Sequence, residues 1–284
     1  MARLSPARAT AALAERGSVE RERRRGRVRP PPGPLAAAAR AALPTVLALA
    51  VLAVAWELVG RLLRFPWFPP LSVALGALAE LHRQGLIWTN LLASLRSLAI
   101  GFGLALVFGL VVGTLLGRYR RLEYLFGIYV QALVFAPSIV FAPIFFTLFG
   151  LSDATRIGVV FLYSAFIMAV NTQTAVRHVD RSLVEMATVF GASERKIVLK
   201  VIVPAALPFI MAGVRLGAGR AVKGMINGEA FVALVGLGGL IETYGGRFAA
   251  DKVLALLIVV VGVSVLVASL VQWLDRRLTA WNTG

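Results

Sequence analysis

The sequence predicts an all-α polytopic membrane protein with six transmembrane helices, and three observations carry that prediction. Of 284 residues, 58% are hydrophobic by the wide count and only 15% are charged, with a mean hydropathy of +0.80, far too apolar for a soluble domain of this length. Six apolar stretches, near 42–63, 91–117, 124–149, 155–176, 205–234 and 253–274, reach the roughly 20 residues that a helix needs to cross a hydrocarbon core. The basic residues between them fall unevenly, as in a chain threaded through a bilayer. Backbone amides in lipid must bond within their own segment, so each stretch is a helix rather than a strand.

The elements follow in chain order. Residues 1–40 hold ten arginines against Glu15, Glu20 and Glu22, contain RPPPGP at 29–34 and lack any apolar period. They are expected as a disordered basic tail preceding a six-helix membrane domain at 41–284. This tail either fixes orientation by its charge or docks on an anionic surface. The formal charge of +16 would suggest nucleic acid in a soluble protein, but beside a membrane span nucleic acid is not an expected partner. The first apolar run is long enough to span and ends without a small-residue cleavage site, so it is not read as a signal peptide.

Between the first two spans, FPWFPPLSVALGALAELHRQG places Leu71, Leu75, Leu78 and Leu81 at helical spacing behind two prolines, which predicts a short interfacial helix. Pro137 and Pro143 break the third span, as proline does where neighbouring groups satisfy the freed carbonyls. The fifth span carries Gly213, Gly217, Gly219, Gly224 and Gly228, which permit close helix contact. Residues 236–246 are expected as a flexible outer loop, an outer gate or a mere connector, while Trp273 and Trp281 suit interfacial anchors. If the tail is cytoplasmic, its side holds twenty Lys and Arg, the tail's own ten included, and seven lie opposite, which predicts both termini in the cytoplasm.

One charged stretch, EMATVFGASERKIVLKVIVPAALP at 185–208, interrupts this apolar chain. Ser182 and Glu185 have the spacing of a capping box, so a helix starts there and runs to Phe190, where Gly191 is suited to the left-handed conformation that ends it. Ser193 is a second cap, Ile197, Val198, Val201 and Ile202 share one face of a second short helix, and Pro204 and Pro208 mark the turn into the fifth span. Two short helices at a glycine elbow are thus expected over about 180–204. From the residues alone they either pack beneath the bundle or dock a partner.

The spacing of Glu185, Ala187, Gly191, Ala192 and Pro204 resembles the EAA signature loop of permease subunits of ATP-binding-cassette importers, with Met186 where the signature has an alanine. The similarity extends from about Trp67 to Arg277 and includes LLASLRSLAIGF, NTQTAVRHVD and VRLGAGRAVKGMINGE, in the manner of the branch that serves nitrate, sulfonate, taurine and related small molecules. The resemblance implies a type I importer permease fold in a bacterial inner membrane. It implies two cytoplasmic ATPase subunits holding ATP and magnesium, a second permease copy forming a homodimer, an extracytoplasmic solute-binding protein and surrounding lipid. It also implies that Glu185, Met186, Ala187, Phe190, Gly191 and Ala192 form a coupling helix seated on the ATPase. The chain has no phosphate-binding GxxxxGK[ST] loop, so it is expected to be non-catalytic and to bind no cofactor.

Polar groups inside spans face a cavity or a partner. Gln131, Asn171, Arg220, Lys223, Asn227 and Glu229, with Pro137 at the helix break, are therefore candidates for a translocation path favouring a small anion; Arg220 and Glu229 equally suit ion pairs between helices. Arg215 is close enough to a span end to snorkel, and Glu57 is placed near the outer interface. The two histidines, His82 and His178, are far apart and cysteine is absent, so neither a metal site nor a thiol site is expected. A secondary transporter or a membrane scaffold without an ATPase partner is the rival class. Neither gives the elbow a task, and copurification with an ATPase separates them from an importer.

Overall fold

The structure, a computed structural model, describes residues 34–232 and 235–280. Residues 1–33 of the expected tail and Trp281 lie outside the described residues. Helix α1 (Pro34–Leu63) begins inside the stretch expected as tail. The chain divides within α1 into two units, 1–56 and 57–284, and the packed helices belong to the second.

Helix α2 (Leu71–Arg83) occupies the place predicted for the interfacial helix. Of the leucine stripe Leu81 is buried, Leu71 and Leu78 are half-buried and Leu75 is exposed, and Ala74 and Ala77 complete the buried face. The Ser72 N–H and hydroxyl both donate to Glu57, at 2.9 and 2.8 Å, fastening the start of α2 to the end of α1.

Among the described residues five helices are long and apolar enough to span a membrane, and a sixth span exists if a bent pair counts as one. That pair is α4 (Arg120–Phe135) and the segment Ser138–Phe149, which comprises one 3₁₀ turn and α5 (Ala142–Phe149), bent by 100°. Ala136 is extended, as its clash with the Pro137 ring demands, and Pro137 continues the extended backbone. Pro143 sits in the first turn of α5, where a missing N–H costs nothing. Only Pro137 breaks the span; Pro143 helps to start α5.

The centre of the bundle is α6 (Asp153–Arg177), packed between α3 (Leu86–Arg118) and α9 (Val203–Val232). Glycines make both seams. A Cβ built at Gly113 of α3 would stand 2.5 Å from the Ala169 carbonyl oxygen and 2.5 Å from Thr172 Cβ. One at Gly217 of α9 would stand 2.5 Å from Met168 Cγ. Gly213, Gly224 and Gly228 also abut α6, as the sequence predicts; Gly219 faces open space. Of three apolar clusters among the described residues, two are extensive. One runs from Met168 to Ile202 and Ile210, the other from Leu81 and Met225 to Leu237 and Leu256 of the last helix, α11 (Ala250–Leu278).

Two expectations for the connections are corrected. Pro204 and Pro208 mark no turn, because helix α8 (Glu194–Ile197) passes through a π turn, Val198–Ile202, straight into α9. The Val203 N–H reaches back to the Val198 carbonyl, and this wider winding accommodates a proline that cannot donate. The second helix of the elbow is therefore the beginning of the fifth span. Residues 236–246 are likewise not a loop: Leu237–Gly246 is a helix, α10, whose first three residues are buried.

Candidate functional site

The elbow is built from local signals. Asp180, not Ser182, caps α7 (Arg181–Val189): its carboxylate accepts the Ser182 N–H at 2.9 Å, and that bond holds the carboxyl below its usual range. The capping box fails because Asp180 reaches the first free amide before Ser182 can act. At the other end the Ala192 N–H donates to Ala187 O at 3.0 Å and the Gly191 N–H to Thr188 O at 2.9 Å, with Gly191 at φ +73°. This is the left-handed termination the sequence predicts. Ser193 stands at the start of α8 as expected, but its side chain makes no capping bond.

Helix α7 has two faces. Val184, Ala187 and Ala192 pack on the core that contains Ile197 and Ile202. Leu183, Met186, Val189 and Phe190 are exposed, Val189 by 85% and Phe190 by 83%. The four form an apolar ledge beside the exposed Glu185. Arg118, at the end of α3, grips Glu194 through two bonds of 2.8 and 3.1 Å and braces the second arm of the elbow. Glu123 of α4 pairs with Arg177 at the end of α6.

The candidate path residues separate into groups. Lys223 and Asn227 are exposed on one face of α9 with Gly219, and Arg220 is half-buried beside them. Asn227 donates to the Tyr163 hydroxyl at 2.8 Å. It also lines an open recess of about 470 Å³ with Ile139, Phe231 and Glu242. Gln131 and Pro137 are exposed on α4 and at its break. Asn171 is half-buried and bonds back to Ile167 O at 2.7 Å. Arg215 pairs with Asp275 of α11.

Glu229 is placed apart from these. It is fully buried, accepts from Ser94 Oγ at 2.8 Å, Ser97 Oγ at 3.3 Å and the Gly238 N–H at 3.1 Å, and has no surface to offer a solute. Asn90 Oδ1 accepts the Gly236 N–H at 2.7 Å and Ser94 Oγ the Leu237 N–H at 2.9 Å, so α3 and α9 together hold the first turn of α10. Sequence reasoning missed Asn90, Ser94 and Ser97. The signal was available: three polar residues at helical spacing along one face of an apolar helix. Among the described residues no cluster of His, Asp and Glu is arranged to hold a metal ion.

Residues 105–280 match the model of the family described as binding-protein-dependent transport system inner membrane component. A probable ABC transporter permease protein of Brucella abortus is 33% identical over 199 residues, covering 70% of this chain and 80% of its own. A putative aliphatic sulfonates transport permease protein of Bacillus subtilis is 31% identical over 236 residues, covering 82% and 85%. Among solved structures, a chain of the MetNI methionine ABC transporter in an inward-facing conformation superposes with a TM-score of 0.60 at 21% identity, over 69% of this chain and 98% of that one.

Proposed function

The chain belongs to the family of binding-protein-dependent transport system inner membrane components and is a permease subunit of an ATP-binding-cassette importer; on that premise we propose how it is assembled and driven. The ledge on α7 seats a separate ATPase subunit, which holds ATP and magnesium and performs hydrolysis. Glu185, Met186, Ala187, Phe190, Gly191 and Ala192 form the contact and its support. The observation that carries this reading is the ledge itself: four exposed apolar side chains on a helix capped at both ends and packed on the bundle core. An amphipathic helix presented in this way suits a partner's groove, and each such side chain is worth about 1.5–3 kcal/mol when fully buried.

The α7 end of the bundle faces the cytoplasm, as does each chain terminus. Its supports are Arg118, Arg120, Arg121, Arg177 and Arg181 gathered at the ends of spans there. Two copies of the permease enclose the path, and a binding protein delivers solute from the opposite side. Lys223, Asn227 and Arg220 line the path, with Gln131, Pro137 and Asn171 contributing from α4, its break and α6. Glu229 does not line it, since its carboxylate is consumed in packing α10. Exposed lysine on α9 favours a small anion, in keeping with the similarity to a permease named for aliphatic sulfonates. ATP-driven closure of the two ATPases moves α7, and the rigid elbow passes that movement to α9 without an intervening loop.

Replacing Phe190 with Asp tests the assembly. The variant is expected to insert as the wild type does but to lose copurification with the ATPase subunit. Retention of the ATPase at wild-type yield contradicts the reading.

A further inference from the structure

At the α7 end of the bundle a cleft of about 550 Å³ opens between the last turn of α3, the start of α4, the end of α6 and α7. Four guanidinium groups line it, one from each helix: Arg118, Arg120, Arg177 and Arg181. Glu123 takes up Arg177, and Glu194, from outside the cleft, takes up Arg118. Among the described residues Arg120 is held only by Tyr124, through its hydroxyl at 3.0 Å and its ring. Arg181 has no hydrogen bond or ion pair among the described residues. Counting Glu185, which also lines the cleft, four cations face three carboxylates, and one positive charge is left without a counter-charge.

The depth of the cleft is set by close packing. A Cβ at Gly117 would meet the Gln173 carbonyl oxygen and Val176 Cβ, each at 2.8 Å, so α3 and α6 are in contact behind the arginines and close the cleft toward the bundle interior. Arg118 and Arg177 are the last residues of two membrane-length helices. The cleft therefore stands at the end of two spans, where basic residues flank a bilayer. Tyr119 and Tyr124, both exposed, flank it as residues of the interfacial belt do.

We propose that this cleft binds the phosphate of an anionic phospholipid from the adjoining leaflet. Guanidinium forks match phosphate oxygens with paired N–H donors, and Arg120 and Arg181 have those donors to give. Basic pockets between helix ends collect acidic headgroups by the same chemistry. Soluble phosphate shares that chemistry, but it lacks the acyl chains that hold a headgroup at this depth. Because Arg181 belongs to α7, an occupant it holds steadies the helix that carries the apolar ledge. The cleft is formed by α3, α4, α6 and α7 of this chain, so the proposal holds whatever docks on the ledge.

The test uses the full chain in neutral detergent, titrated with dioctanoyl phosphatidylglycerol, dioctanoyl phosphatidylcholine or inorganic phosphate while thermal unfolding is followed. Phosphatidylglycerol is expected to raise the midpoint saturably, and phosphatidylcholine and phosphate to do little. The double variant Arg120→Gln, Arg181→Gln is expected to unfold at the wild-type midpoint without lipid and to bind phosphatidylglycerol about thirtyfold more weakly, from roughly fivefold per arginine near a membrane surface. The control Arg276→Gln, Arg277→Gln, on α11, should bind as the wild type. Equal shifts with phosphatidylcholine, equal shifts with phosphate, or undiminished binding by the cleft variant would each overturn the proposal. Should the double variant unfold early, native mass spectrometry of the wild-type chain decides: phosphatidylglycerol retained over phosphatidylcholine supports the site, and equal retention refutes it.

Discussion

Replacing Gly191 with Val isolates the elbow from everything around it. Gly191 sits at φ +73°, and a Cβ built there would find no atom within 4 Å. The penalty is therefore backbone strain without collision. For a β-branched residue held in the left-handed region it is about 2 kcal/mol, comparable to the two hydrogen bonds, Ala192 N–H to Ala187 O and Gly191 N–H to Thr188 O, that close α7. At 1.4 kcal/mol per tenfold, the elbow's population falls roughly thirtyfold relative to open alternatives. The bundle core, α3 against α6 against α9, is untouched. ATP-driven uptake in proteoliposomes should then drop by about an order of magnitude or more while the amount of inserted chain stays constant. Gly191→Asn is the control, since asparagine tolerates the left-handed region, and it should keep most of the activity. Wild-type uptake by the Val variant, or equal loss in both variants, would refute a role for backbone conformation at the elbow.

The remaining predictions concern packing, the buried clamp, the cap and the path. Gly113→Val drives a side chain into Ala169 and Thr172 and should cost about 1–3 kcal/mol in thermal unfolding, whereas Gly219→Val, where a Cβ meets nothing, should unfold at nearly the wild-type midpoint. Glu229→Ala strands the Gly238 N–H and removes the acceptor of Ser94 and Ser97, all buried, and should destabilise by about 3 kcal/mol; an unchanged midpoint would show that α10 is held by other groups. The Asp180 carboxyl is held below its usual value in the folded chain, so its stabilisation is complete above about pH 4 and is lost as pH falls through the folded value. Protection of the Ser182 amide against hydrogen exchange should therefore weaken on acidification in the wild type but not in Asp180→Asn; identical profiles would exclude the cap. Lys223→Glu should lower uptake of an anionic solute tenfold or more without changing basal ATP hydrolysis, and unimpaired uptake would remove Lys223 from the path.

How much of the fold and of the elbow was legible in the sequence depends on the range of the signal. The Gly191 elbow is a local device, and the residue that suits a left-handed turn is found in one. The cap was misplaced by two residues because Ser182 and Glu185 satisfy a local pattern that Asp180 pre-empts through its own bond to the Ser182 amide. Pro204 reads as a helix breaker, yet a π turn from Val198 to Ile202 absorbs it, and nothing in the local residues distinguishes these outcomes. GLGG at 236–239 reads as a flexible loop. Its amides are held by Asn90 and Ser94, more than 140 positions earlier, and that pairing is visible only once α3 and α9 are packed together. For the same reason Glu229 looked like a path residue: an intramembrane carboxylate names its importance but not its partner.

The seat of the ATPase on the α7 ledge can be probed with a single thiol. Because the chain contains no cysteine, Val189→Cys and, at the opposite end of the bundle, Phe248→Cys each place a single thiol on an exposed position. Maleimide labelling of each variant is compared alone and in the assembled transporter. Assembly is expected to block position 189 and leave 248 reactive; equal labelling of position 189 in both states would exclude the ledge as the seat.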